Sequence, residues 1–210
     1  MEVRTVSTSS RRTQAERTAA SRHALISAAR RLFASDGYAA IGTERIAAEA
    51  GLSRGALYHQ YADKLELFAA VLDDVEADIA QRMIAAVAGL DPIDTAGLLL
   101  GGADAFLDAC TDPEVQRIAL IDGPSVLGWE RWREICLRHS VGLVAALIAD
   151  GISRGTIEPQ PVEPLTHVLV GAVDEAALYI AQADDPQRAR VEMAAVLRRL
   201  AIALTTPAGR

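Results

Sequence analysis

Residues 43–60 read Thr43-Glu44-Arg45-Ile46-Ala47-Ala48-Glu49-Ala50-Gly51-Leu52-Ser53-Arg54-Gly55-Ala56-Leu57-Tyr58-His59-Gln60. The pattern is helix, tight turn, helix. Thr43 is placed to cap the first helix and Ser53 the second, because a short hydroxyl side chain accepts from an otherwise unpaired N–H of the first turn. Gly51 allows the positive φ that so sharp a reversal needs. Ile46, Ala50 and Leu57 fall on faces that share one core, with the small Ala47 where the two helices cross. That leaves Arg54, Gly55, Ala56, Tyr58 and His59 pointing outward from the second helix. Small residues with one Arg and one polar aromatic suit insertion into a DNA major groove, where Arg makes the bidentate contact to guanine. The same local pattern suits an ordinary αα-hairpin, so the flanking sequence has to decide.

Outward from this stretch the chain reads as helices and little else. Ala and Leu dominate, and no stretch alternates like a half-buried strand. Upstream, Leu25, Ala28, Leu32 and Phe33 repeat at helical spacing over 18–35, and Gly37 closes the segment. Residues 1–17 are polar and aperiodic and read as a flexible basic arm; Arg11, Arg12 and Arg17 there would follow a groove or merely raise non-specific affinity. Downstream, Asp63 with Glu66 three residues on makes a capping-box-like start to a long helix ending near Ala88. Asp91-Pro92, Asp112-Pro113 and Asp185-Pro186 each set a capping carboxylate before a proline that fits a first helical turn. The spacing predicts further helices near 93–110, 113–121, 126–150, 161–183 and 186–204. The fold class is all-α, with about nine helices and a domain boundary at residue 64.

Charge divides at the same place. Residues 1–64 carry ten Arg or Lys against six Asp or Glu, and residues 65–210 carry eleven against twenty-two, within a net charge of −7. A basic end on an acidic body is the distribution expected when one part of a protein meets a polyanion; a solvated basic tail gives the same count. Half of the 210 residues are apolar, enough for a sizeable core. No apolar run approaches the ~20 residues needed to cross a bilayer, and the first twenty residues lack the apolar stretch of a signal peptide. The expectation is a cytoplasmic protein with no membrane partner. Cys110 and Cys136 both lie in helical stretches, which argues against a disulfide scaffold.

Catalytic chemistry finds no support. Gly101-Gly102 lies in a helical stretch without the following Lys-Ser/Thr of a phosphate loop. His23, His59, His139 and His167 show no metal-ligand spacing with the cysteines. Asp73-Asp74, Asp174-Glu175 and Asp184-Asp185 are adjacent pairs, whose side chains diverge on a helix. The reading is not an enzyme, with no cofactor and no metal.

The stretch Leu57-Tyr58-His59-Gln60-Tyr61-Ala62-Asp63-Lys64-Leu65-Glu66-Leu67 resembles the hallmark of the tetracycline-repressor (TetR) family of bacterial transcriptional regulators. So do Ala28-Ala29-Arg30-Arg31-Leu32-Phe33-Ala34-Ser35-Asp36-Gly37-Tyr38 and Gly42-Thr43. The resemblance runs without a gap from about Arg22 to Phe68, with Tyr61 where the family more often has Phe. It implies a three-helix helix-turn-helix DNA-binding domain over 18–63, a larger helical ligand-binding and dimerisation domain over 64–210, and use as a homodimer. Thr43, Ser53, Tyr58 and Lys64 match positions that contact phosphates in the family; Arg54, Gly55, Ala56 and His59 match positions that approach bases. Lys64 at a helix N-terminus adds an ammonium to exposed amides, and both attract phosphate. Asp122-Gly123-Pro124 followed by Gly128-Trp129-Glu130-Arg131-Trp132 is similar to one subgroup of such regulators, without identifying a ligand.

Beyond residue 70 only the order of helices carries over. The resemblance sets the last two helices in a dimer interface. At helical spacing Met193, Val196, Leu197, Leu200 and Leu204 form one stripe, and Leu165, Leu169, Ala172, Ala176 and Tyr179 the other; the protomer's own core is the competing place for both. A ligand pocket would lie among the middle helices. Candidate walls are Trp129 and Trp132, the two tryptophans of the chain, with Phe106, Ile118, Ile121, Val75 and Ile79, while His167 and Asp174 would orient a ligand or else sit at the dimer seam. These residues predict a largely apolar, aromatic-tolerant small-molecule inducer. Two functions remain open. One is a repressor released from a palindromic double-stranded DNA operator by that inducer. The other is a small-molecule-binding helical dimer that sequesters or scaffolds without binding an operator. Arg54, Tyr58 and Lys64 favour the first.

Overall fold

The computed structural model describes residues 14–205. Helix α1 (Gln14–Asp36) leads into α2 (Thr43–Glu49), α3 (Arg54–Gln60) and the long α4 (Lys64–Val87). Then come α5 (Thr95–Ala109), the short α6 (Pro113–Val115), a π-helical segment (Gln116–Asp122), α7 (Gly123–Leu127), α8 (Trp129–Arg138), α9 (Ser140–Arg154), α10 (Val162–Gln182) and α11 (Pro186–Thr205). The described residues hold no strand. No single helix among them is long and apolar enough to cross a membrane.

Helix α1 begins at Gln14, so residues 14–17 are helical where the arm was expected to continue, and Arg17 belongs to the helix. Arg11 and Arg12 lie outside the described residues. Leu25, Ala28, Ala29 and Phe33 are fully buried on one stripe of α1, and Phe33 meets Phe68 of α4. Phe33, Tyr38 and Phe68 close into a ring trio with centroids 5.1–5.6 Å apart. Burying each of the two phenylalanine rings contributes roughly 1.5–3 kcal/mol, so this trio helps fasten α4 to the first three helices. Gly37 makes the turn after α1 at φ +79°, with the Arg117 guanidinium lying where a side chain would stand. Only glycine meets both demands.

Three boundaries differ from the expected ones. Gly42, not Thr43, is the N-cap of α2, and Thr43 turns its hydroxyl to Tyr58 instead. Asp91 accepts from the Ile93 N–H in a local turn, whereas Asp94 caps α5 by accepting from Gly97 N–H. The stretch expected as one helix over 126–150 is broken at Gly128 (φ +75°) and at His139, where α8 and α9 bend by 62°. His139 and Arg138 both reach Asp73 of α4, at 3.0 and 2.9 Å. That tertiary grip overrides local helicity at His139, and with the turn at Gly128 the described residues hold eleven α-helical segments rather than about nine.

Candidate functional site

Ser53 caps α3 as the sequence requires, accepting from Ala56 N–H at 3.1 Å, while Ile46 and Leu57 are fully buried and Gly51 turns at φ +67°. With Leu57 anchored, helical geometry turns Arg54, Gly55, Tyr58 and His59 to solvent and leaves Ala56 half-buried. Arg54 Nη1 donates to Glu44 Oε1 at 2.6 Å, and its guanidinium lies 5.5 Å from the Tyr58 ring centre. The Tyr58 hydroxyl meets Thr43 Oγ1 at 3.2 Å, a contact that together with Arg54 lowers its pKa below the ordinary phenol value. A fully exposed ion pair of this kind is weak, so exchanging Glu44 for a guanine edge or a phosphate costs little.

Lys64, which matches a phosphate-contacting position of the family, is also held by the protein itself. Its ammonium donates to the carbonyls of Tyr38 and Ile41, both at 3.0 Å, and sits 3.9 Å over the Tyr38 ring. It ties the first residue of α4 to the loop between α1 and α2. On the other side of that loop, Asp122 Oδ2 accepts from Tyr38 N–H at 2.9 Å and from Arg117 Nε at 3.3 Å. Arg30 of α1 donates at 2.7 Å to each of Asp74, Asp78 and Glu114, which lifts its pKa above the ordinary guanidinium value despite burial. The first three helices are thus bonded to α4 and to the segment 113–122 through the C-terminal half of α1 and the loop that follows it.

A cavity of about 320 Å³ lies among α4, α5, α8, α9, α10 and α11. Along α4 its wall runs from Glu76 to Val87, roughly 16 Å at 1.5 Å per residue. Leu98, Phe106, Leu147, Leu197 and Leu204 make much of the wall apolar. Polar atoms gather at the Glu76 end. Glu76 accepts from Ser140 Oγ at 2.6 Å and Cys136 Sγ at 3.5 Å. Arg133 donates through Nε and Nη2 to His167 Nδ1 at 3.3 and 3.1 Å, and lies 5.5 and 5.6 Å from the ring centres of Trp129 and Trp132. Burial pushes the carboxyls of Glu76 and Asp174 up, Asp174 to about 7. It also pushes the Cys110 thiol up to about 12 and Cys136 higher still, so neither is a nucleophile.

Two family models match the chain: residues 25–71 match "Bacterial regulatory proteins, tetR family", and residues 97–204 match "Tetracyclin repressor-like, C-terminal domain". The transcriptional repressor Rv1474c of Mycobacterium tuberculosis is 30% identical over 85% of this chain and 90% of its own length. The transcriptional regulator CymR of Pseudomonas putida is 38% identical over 47% of this chain, a match that spans about half of that protein (49%). A crystal structure of a TetR-family regulator from Pectobacterium atrosepticum superposes with a TM-score of 0.74 at 30% identity, covering 93% of this chain and 98% of that one. The chain belongs to the TetR family. Regulators of this family are DNA-binding proteins and not enzymes.

Against that background the sequence-derived residues divide. Phe106, Trp132 and Asp174 line the cavity. Val75, Ile79 and Ile118 are buried in the core behind it, and Ile121 is exposed, so these four are not walls. Trp129 is 61% exposed; it leans on Trp132 with ring centres 5.2 Å apart but does not reach the cavity. His167 stays off the wall, bonded to Arg133. Of the stripes assigned to the dimer, Leu169, Ala172, Leu197 and Leu200 also line the cavity, Ala176 is buried and Met193 packs on the core. Tyr179, Val196 and Leu200 are exposed, together with Val168 (68%) and Val191 (70%), which the spacing had not singled out. The polar end, Glu76, Arg133 and Ser140, was missed altogether. Its signal was present: Leu72, Glu76, Ile79 and Met83 share one helical face, and a carboxylate in an apolar register marks a buried charge with a task.

Proposed function

We propose that this chain is a homodimeric transcriptional repressor that binds a palindromic double-stranded DNA operator through α3 and releases it when a small molecule with an apolar body fills the cavity. The DNA-binding unit is residues 18–63, extended on this reading to the start of α1, and residues 64–210 bind the ligand and dimerise, in the cytoplasm. Arg54 reads a base edge, with Gly55, Ala56 and His59 alongside; Thr43, Ser53 and Tyr58 contact phosphates. The exposed apolar residues Val168, Tyr179, Val191, Val196 and Leu200 of α10 and α11 make the two-fold interface.

One observation carries the ligand response: the segment Gln116–Asp122 touches both sites. Leu120 is part of the cavity wall, and Ala119 O accepts from Trp132 Nε1 at 3.0 Å. Two residues after Leu120, Asp122 accepts from the N–H of Tyr38, the residue whose carbonyl Lys64 grips. A ligand that moves Trp132 thereby pulls on the loop ahead of α2. To shift the equilibrium a ligand need only prefer the non-operator conformation; a ~100-fold preference supplies about 2.7 kcal/mol.

The experiment is selection of random duplexes on the purified protein, followed by titration at several salt concentrations. The expected product is a pseudo-palindrome with half-sites roughly one helical turn or somewhat more apart, ~34–36 Å at the least. Arg54→Ala should cost ~1–3 kcal/mol on that site and relax one base pair in each half. Failure to enrich any duplex would overturn the reading in favour of a sequestering or scaffold protein.

A further inference from the structure

With both of its carboxyls ionised, the polar end of the cavity carries one negative charge too many. Two carboxylates, Glu76 from α4 and Asp174 from α10, face one guanidinium, Arg133 from α8. His167 does not make up the difference. A guanidinium can only donate, so His167 Nδ1 accepts from it rather than donating to a carboxylate. His139 bonds Asp73 on the outside of α4. Glu76 at least has the Ser140 hydroxyl and the Cys136 thiol. Asp174 has less: its ion-pair contact is Arg133 Nη1 at 4.0 Å, beyond hydrogen-bond reach, and no hydrogen bond reaches its carboxylate among the described residues. A mostly buried carboxylate without a donor is costly to ionise, and burial accordingly raises the Asp174 carboxyl to about 7. Arg133 cannot turn to an incoming anion without giving up His167 and the faces of both tryptophans.

From that end the wall runs ~16 Å along α4 to Val87, past Met83 and Ile84, without another ionisable side chain among the lining residues. We propose that the cavity binds an amphiphile with one protonated amine head and an apolar body, the ammonium seated on Asp174 and Glu76 and the body lying toward Val87 and Leu204. The head supplies the donors that Asp174 lacks and the single positive charge that balances the cluster. A carboxylate head would put a third negative charge into the same space, and a neutral hydroxyl would leave the imbalance in place. This rests on the reading of the cavity as the effector site and adds the chemical class of the ligand.

The probes are n-octylamine, n-octanol and n-octanoate, which share one tail and differ only in the head, titrated into the full-length protein by calorimetry. The expected order is amine first, with octanoate at least tenfold weaker. Asp174→Asn keeps the shape and removes the charge; it should weaken octylamine at least tenfold while octanol changes less than twofold. Glu76→Gln is the second variant and should act in the same direction. A packing defect would move all three ligands together and overturn the assignment, as would octanoate binding best, equal affinities, or no binding at all. Operator release is read separately by anisotropy of labelled duplex. Octylamine that binds with the expected order yet leaves the duplex bound would uphold the head-group assignment and refute the effector reading. Release by octanol or octanoate with no preference for the amine would do the reverse.

Discussion

Lys64 is the residue at which a role in DNA contact and a role in structure separate most cleanly. Its ammonium gives two charge-assisted hydrogen bonds at 3.0 Å to Tyr38 O and Ile41 O and stands 3.9 Å over the Tyr38 ring. Hydrogen bonds to a charged group contribute ~1.5–3 kcal/mol each, and a cation over a partly exposed ring about 0.5–1 kcal/mol. Lys64 is only half-buried, so the lower ends apply. Replacing it by Met keeps most of the stem and should cost about 2–4 kcal/mol, a large part of the ~5–15 kcal/mol typical of a folded protein. For a chain of this size that is a fall in melting temperature of roughly 5–15 °C, measured at fixed protein concentration because dimerisation also contributes. Operator affinity should fall too, since the loop ahead of α2 loses its tie. A lysine that served only as a phosphate contact would behave differently. Its loss would leave the melting temperature unchanged and flatten the salt dependence of DNA binding by about one unit per subunit. That pair of results for Lys64→Met would refute the argument that the ammonium holds the loop.

Tyr61 is buried with its hydroxyl unbonded among the described residues, and Arg22 stacks on the ring with its guanidinium 5.0 Å from the centre. Tyr61→Phe removes the unpaired oxygen and keeps the stack, so urea denaturation should show a stability equal to wild type or higher by about 1 kcal/mol; a clear loss would reveal a partner for the hydroxyl. Val196 is exposed on α11 and off the cavity wall, so Val196→Asp should yield monomers in equilibrium sedimentation that retain helicity but no longer hold the operator; an intact dimer would move the interface elsewhere. Asp174 gives a pH signature. Its carboxyl is raised from an ordinary 3.8 to about 7, so its protonated form is the one folding favours. Stability is full below the ordinary value and falls as pH rises toward 7. Asp174→Asn lacks that fall and should gain about 2 kcal/mol on wild type between pH 5 and pH 8, after allowance for partial exposure. A difference that stays constant with pH would mean the carboxylate is better solvated than its surroundings indicate.

What could be read from the chain alone was whatever local chemistry decides. Ser53 and Asp63 cap α3 and α4 because a short acceptor before a helical run satisfies N–H groups within three residues, whatever surrounds it. Gly37 and Gly51 turn at positive φ for an equally local reason. Errors begin where a distant contact wins. Thr43 has the right chemistry for a cap, but Tyr58 offers its hydroxyl a partner fifteen residues away, and the cap passes to Gly42. Gly128 marks the first break over 126–150 locally, but nothing near His139 announces the second, because it is made by Asp73 of α4 drawing in Arg138 and His139. The cavity fails to show for a related reason. Helical spacing says which residues share a face but not how deep that face lies, and α8 starts at Trp129, so the first tryptophan has no preceding turn to pack against while the second, one turn on, closes over Gly123 and Ala119. Of the two tryptophans named from the sequence, only Trp132 therefore reaches the cavity. The informative departures were the common residues in uncommon company, Glu76 and Arg133 among apolar neighbours, since a charge that folding buries must be balanced by something, and on the proposed reading the ligand's head group completes that balance.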